Sequence, residues 1–310
     1  MNADVEMLIE RRRARRKLLF WRIVAVGLFA VLAVVGVRSL SVGHGSAHDM
    51  IGGTHVARLF VDGIITTDTD LEEQLADVRD DDDIKGLLVR INSPGGTATG
   101  GEAIFEALRE VAEKKPVVAV MDEVATSAAY MAALAAERIY ARRSSVTGSI
   151  GVIFQSADFS SLLDKVGIKP EIVRSVPLKA RPNPAEPMTP DARRATEAVV
   201  RDMHALFVDM VARRRGLDAA QVRELADGRV FTGTQAARAG LVDALGGEHE
   251  ALAWLRARPG VGADLPLRDL KKPSDPLDWT RFFRDSLEKA LFSESLRLDG
   301  LVSLWHPDAR

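Results

Sequence analysis

From Val56 onward, short runs rich in β-branched residues alternate with runs that carry apolar residues at helical spacing, and this alternation narrows the fold more than any other feature. A strand, a crossover helix and a further strand make parallel sheet, so the pattern predicts an α/β domain built from βαβ units. VARLFVDGII (56–65) reads as the first strand, DLEEQLADVRD (70–80) as a helix and GLLVRIN (86–92) as a buried strand. GEAIFEALREVAEK (101–114) reads as a helix and PVVAVMD (116–122) as a further strand. A small-residue helix is expected from Ser127, strands from RIYARR (138–143) and SIGVIF (149–154), and a helix from DFSSLLDKVG (158–167). Five prolines between Val176 and Pro190 predict an irregular surface loop. Beyond it, Ala195, Val199, Met203, Leu206, Phe207 and Met210 fall on one helical face between Asp191 and Arg215, with Gly216 as the C-cap. A shorter helix is expected over 218–226.

A chain of 310 residues with 46% hydrophobic and 28% charged residues can bury one substantial core with appendages. Its formal net charge of −2 supplies no basic field for nucleic acid, which is excluded as a partner. With no cysteine, disulfides, thiolate metal sites and a cysteine nucleophile are also excluded.

The N-terminus sets the compartment. A cytoplasmic basic tail (1–17) carries Arg11, Arg12, Arg13, Arg15, Arg16 and Lys17, and the apolar run that follows from Leu18 to Val37 is long enough to cross a bilayer. We assign 18–38 to a transmembrane helix, with Arg22 snorkelling to the headgroups. A cleaved secretory signal is the competing reading. The positive-inside tendency puts the tail in the cytoplasm and everything after the span outside, as expected for a single-pass protein of a bacterial inner membrane. Residues 39–55 form a glycine-rich linker. His44, His48 and His55 fall in or beside it, but with only Asp49 as a nearby acidic ligand no metal site is expected. Residues 56–250 make the main α/β domain and 251–310 a C-terminal helical extension. There Trp279, Phe282, Phe283, Leu287, Ala290 and Leu291 form an apolar stripe that packs on the domain, on a sister subunit or on the membrane surface.

Three local patterns bear on chemistry. Asn92-Ser93-Pro94-Gly95-Gly96 follows a strand and precedes a helix. It reads as a turn that needs glycine torsions, or as a place where backbone approaches a ligand and leaves an amide for an oxyanion. Ala125-Thr126-Ser127-Ala128-Ala129-Tyr130-Met131 places a serine where a strand passes into a helix. A serine among alanines serves tight helix packing, yet here its hydroxyl lies near unpaired helix amides, with that of Ala128 as a second oxyanion donor. Only His204 and His249 lie within the main domain as candidates for a triad histidine, which leaves lysine as the other common base. Lys179, in Pro177-Leu178-Lys179-Ala180-Arg181-Pro182, reads either as a solvated surface residue or as that base.

Taken together, these motifs resemble the signal peptide peptidase A family. Thr147-Gly148-Ser149-Ile150-Gly151-Val152, Met188-Thr189-Pro190 nine residues after Lys179, and Gly228-Arg-Val-Phe-Thr-Gly-Thr-Gln-Ala followed by Gly240-Leu-Val-Asp complete the likeness over residues 56–250. The resemblance implies a ClpP/crotonase-like fold with repeated ββα units. It implies Ser127 as nucleophile, Lys179 as general base, Gly96 and Ala128 as oxyanion-hole amides and Ser149 as the residue orienting the lysine. It further implies a serine endopeptidase, with no cofactor and no metal, that works through an acyl-enzyme; the alanine-rich wall of Ala125, Ala128 and Ala129, without a charged anchor, leads us to expect extended apolar peptides such as released signal peptides. Homo-oligomers are expected, with sites shared between protomers. A lysine acts as base near neutrality once desolvation lowers its pKa from about 10.4 toward 7 or 8. Two other readings compete: an acyl-CoA enzyme of the crotonase fold, which leaves the membrane segment unexplained, and a catalytically silent membrane scaffold, in which the serine and lysine would not be needed.

Overall fold

The computed structural model describes residues 53–270 and 301–304. The expected span at 18–38 and the stripe from Trp279 to Leu291 lie outside them. Among the described residues no helix is long and apolar enough to cross a membrane.

In chain order the elements are β1 (His55–Ile65), α1 (Thr69–Asp80), β2 (Ile84–Thr97), α2 (Ala98–Lys114), β3 (Val117–Thr126), α3 (Ala128–Leu134), β4 (Arg138–Ala141), β5 (Val146–Gly148) and β6 (Ile153–Phe154). There follow α4 (Ser160–Lys165), α5 (Pro190–Arg215), α6 (Ala219–Leu225), β7 (Val230–Thr232), α7 (Gly233–Arg238), β8 (Ala244–Leu245), α8 (Glu248–Arg256), β9 (Leu267–Asp269) and β10 (Leu301–Leu304). The strands make one mixed sheet. Parallel pairing runs from β9 through β1, β2, β3 and β4 to β8. β5 continues beside the far end of β3 in parallel and pairs antiparallel with β7.

Helices and loops cover both faces, which is why the central strands are apolar without alternation. Leu87, Val89, Ile91, Val117, Ala119 and Met121 face a core closed by α1, α2, α3 and α5. Val56, Leu88, Val118, Val120 and Tyr140 face a second core closed by Ala251 and Leu255 of α8. Local sequence sets the helix ends. Asp68 accepts from the Asp70 and Leu71 amides at 3.1 and 3.2 Å, and Thr97 accepts from the Gly100 amide at 3.1 Å. Gly216 ends α5 in the left-handed conformation at φ 63°.

Two expectations need correction. Ser93-Pro94-Gly95-Gly96 does not turn out of the sheet: β2 runs on through Thr97 with a register slip before Gly95, which takes the expected glycine torsion at φ 107°, and Ile65 lies opposite Gly96 in the β1 register. A Cβ on Gly96 would lie 1.8 Å from the Ile65 carbonyl oxygen, so glycine is needed there because two backbones meet. SIGVIF is not one strand either, because Ser149 takes a left-handed φ of 51° and separates β5 from β6.

Candidate active site

Ser127 sits where β3 ends and α3 begins. Its backbone is held at φ 58°, ψ −122°, the mirror image of ordinary extended conformation, which costs a residue bearing a Cβ on the order of 1–3 kcal/mol. Hydrogen bonds on both sides impose it. The Ser127 amide donates to the Gly148 carbonyl at 2.8 Å, and its own carbonyl accepts from the Met131 amide at 3.0 Å. The side chain is buried, and among the described residues the Ser127 hydroxyl has no hydrogen-bond partner.

Hydroxyl latches fasten the strands around it. Thr126 Oγ1 donates to the Pro94 carbonyl at 2.9 Å, tying the serine's strand to the glycine arm of β2. Ser93 Oγ donates to the Gly63 carbonyl at 2.6 Å and accepts from the Gly95 amide at 3.1 Å, and Thr147 Oγ1 donates to the Ala125 carbonyl at 2.7 Å. The helix behind the serine is pinned as firmly. All seven residues of α3 are buried, and a Cβ on Gly101 of α2 would come within 2.9 Å of the Ala128 Cβ. Arg214 of α5 donates to the carbonyls of Leu134 and Ala136 at 2.7 and 3.1 Å, placing a cation at the C-terminus of α3. Tyr130 donates to the Leu241 carbonyl at 2.7 Å, and burial pushes its phenol far above its ordinary pKa.

The structure therefore gathers four of the five residues singled out in the sequence. Ala128 follows Ser127 and opens α3. Gly96 lies on the arm that Thr126 fastens. Ser149 follows Gly148, whose carbonyl fixes the Ser127 backbone, and its own amide donates to the Arg229 carbonyl at 2.8 Å. Lys179 does not join them. It is solvent-exposed on the loop between α4 and α5, and the Ser127 hydroxyl makes no hydrogen bond to it. His204 Nε2 is 3.0 Å from the Ala226 carbonyl, and His249 lies in α8. Among the described residues no cluster of His, Asp or Glu could hold a metal ion.

Sequence reasoning missed a strand-wide slot beside Ser127. β3 pairs with β2 as far as the Ser93–Ala125 pair and ends one residue later, at Thr126. The exposed edge at Gly95–Thr97 is filled by β10, which pairs antiparallel with Gly95, Gly96 and Thr97 on one side and with Ile153 and Phe154 on the other. An extended segment thus lies within the sheet at the end of the serine's strand.

Comparison with known proteins matches the same stretch of chain. The profile of peptidase family S49 aligns with residues 109–262, which include Ser127, Ser149 and Lys179. A protein of Synechocystis sp. designated a candidate protease is 37% identical over 62% of this chain and 69% of its own length. Another so designated, from Methanocaldococcus jannaschii, is 30% identical over 77% of this chain and 83% of its own. The chloroplastic serine protease SPPA of Arabidopsis thaliana is 32% identical over 67% of this chain and 31% of its own length. The chain belongs to peptidase family S49, the signal peptide peptidase A family that its motifs resemble.

Proposed function

We propose that this chain is a membrane-anchored serine endopeptidase of ClpP/crotonase-type fold, in which Ser127 of one copy is served by Lys179 of a neighbouring copy. The observation that carries this reading is the Ser127 hydroxyl, buried without a partner on a strained backbone. A buried hydroxyl left unpaired costs on the order of 1–3 kcal/mol, and native proteins keep few such groups without a use for them. Strain at a strand-to-helix turn is the geometry that presents a nucleophile.

A neighbouring copy is the natural source of the missing base. Ile172, Val173, Val176 and Leu178 beside Lys179 are exposed, Val173 to 93%, and apolar surface of this extent calls for a cover. Laid over the neighbour's slot, the segment would shed water from Lys179 and bring its amine to the orphan hydroxyl. The neutral amine takes the Ser127 proton as the serine oxygen attacks the scissile carbonyl. Amides of Gly96 and Ala128 receive the developing oxyanion. The lysine returns the proton to the departing amine, and the acyl-enzyme is then hydrolysed by water with the same lysine as base. No cofactor is needed.

The slot occupied by β10 favours extended peptides, because a strand set between Gly95–Thr97 and Ile153–Phe154 is held by its main chain whatever its side chains are. Released signal peptides, apolar and membrane-derived, suit such a site on the outer face of a bacterial inner membrane. The test is a serine-directed acylating probe with the label mapped by mass spectrometry. Labelling of Ser127 that disappears in Lys179→Met is expected, and turnover by Ser127→Ala at the wild-type rate would refute the assignment.

A further inference from the structure

Lys179 stands in a stretch of chain with no core of its own. Between Val152 and Ala192 no residue is buried, and α4 contributes none. Apolar packing within the protomer therefore does not fix where the lysine's backbone lies. Polar contacts converge on it instead. Arg174 Nε donates to the Lys179 carbonyl at 2.8 Å, while its Nη1 donates to Glu186 Oε1 at 3.0 Å and its Nη2 to the other Glu186 oxygen. One planar guanidinium thus grips the lysine's main chain with one edge and a carboxylate with the other, a geometry an ammonium cannot reproduce. The Asn183 amide repeats the motif, donating to the Ala180 carbonyl at 3.0 Å and to Glu186 Oε2 at 2.9 Å.

The carbonyls of Lys179 and Ala180 are therefore both tied to Glu186, each through a single intermediary. Ala180 lies at a left-handed φ of 56°, which a residue with a Cβ keeps only when its surroundings enforce it. Arg174 and Glu186 are also partly shielded, with side-chain exposures of 12% and 22%, whereas Lys179 itself is exposed. Arg181 Nε approaches the same carboxylate at 3.5 Å. The Arg174 hydrogen bond, followed by that from Asn183, draws the Glu186 pKa below its ordinary range, so the carboxylate stays ionised where a peptidase works.

We propose that Arg174, Asn183 and Glu186 form a buckle that positions Lys179, setting where its amine is carried relative to the nucleophile it serves. The proposal rests on the reading of Lys179 as general base. These are positioning residues: none touches substrate, and they act through the lysine's backbone. Misplacing a reacting group by about 1 Å can cost on the order of a hundredfold in rate, so loosening the buckle should appear in turnover more than in binding.

Full-length Arg174→Met, Glu186→Gln and the double variant are compared with the parent on an extended peptide, with rates expressed per mole of folded chain and assembly size followed by light scattering. Each single change is expected to lower kcat at least about tenfold with KM within about twofold and assembly unchanged, and the double variant to be no worse than the poorer single. Wild-type kcat in either single variant, additive losses, or a loss that follows dissociation of the assembly would overturn the buckle. Lys179→Met, measured alongside, separates the two levels. If it turns over normally, the base assignment fails; if it is inactive while the buckle variants match the parent, only the buckle fails.

Discussion

Two stretches of this chain have opposite environments. Between Val117 and Ala136, every residue except Asp122, Glu123 and Val124 is buried. Between Val152 and Ala192 no residue is. The first carries Ser127 on a strand and helix clamped by Thr126, Gly101 and Arg214. The second carries Lys179 on a loop shaped by charged side chains and fringed with exposed aliphatic residues. Such a division suits a nucleophile prepared within one copy and a base whose place is completed by the next.

The comparison is tested most severely at the serine. Ser127→Ala should lower turnover by about 10⁴-fold or more, as removing a covalent nucleophile does elsewhere. Ser127→Gly should be equally inactive yet more stable, by about 1 kcal/mol, since glycine accepts φ 58° freely and the unpaired hydroxyl is gone. Thermal unfolding with the acylation assay checks both halves. A less stable Ser127→Gly would mean that the strained turn is not held against a cost.

The next effect belongs to the arm beside the serine. Gly96→Ala forces a Cβ to within 1.8 Å of the Ile65 carbonyl oxygen, and chemical denaturation should report a loss of about 3 kcal/mol or more. Arg214→Met should cost about 2 kcal/mol by removing the cation from the α3 carbonyls, with activity falling in step if that helix supports the nucleophile. The smallest effect on stability is expected in the other stretch. Val173→Asp should move unfolding by less than about 0.5 kcal/mol, because Val173 is 93% exposed, while lowering assembly and activity. Light scattering beside the unfolding curve separates these, and intact assembly would remove Val173 from the interface.

The same contrast explains how much could be read in the sequence. The strand from 56 to 65 and the helix from 191 to 215 lie within a residue of β1 and α5, because apolar periodicity and the Gly216 cap are local signals. The Ser-Pro-Gly-Gly segment announces its glycine torsion, taken by Gly95 at φ 107°, but not that it continues the sheet, which depends on pairing with Ile65, a partner that no local pattern announces. Ser149 interrupts its strand through a backbone conformation that serine seldom adopts. Thr126, Ser93 and Thr147 stand within the quoted motifs, but only the fold shows their hydroxyls turned toward neighbouring carbonyls. Arg174 and Glu186 stand 12 residues apart in an irregular loop, without periodicity to link them. β10 joins β2 across about two hundred residues of chain. Ser127 and Lys179 were singled out together through family motifs, since their spacing alone does not distinguish a dyad from a packed serine and a solvated lysine.

The proposed division of labour between copies is tested most directly by complementation. Full-length Ser127→Ala and Lys179→Met chains, each inactive alone, are co-expressed in equal amounts and their mixed oligomers assayed. If one copy supplies the serine and its neighbour the lysine, roughly a quarter of the sites will pair an intact Ser127 with an intact Lys179 in a randomly mixed assembly, and activity should return to about that fraction of the parent. Mixed oligomers that form and remain inactive would place both residues in one protomer and contradict the shared site.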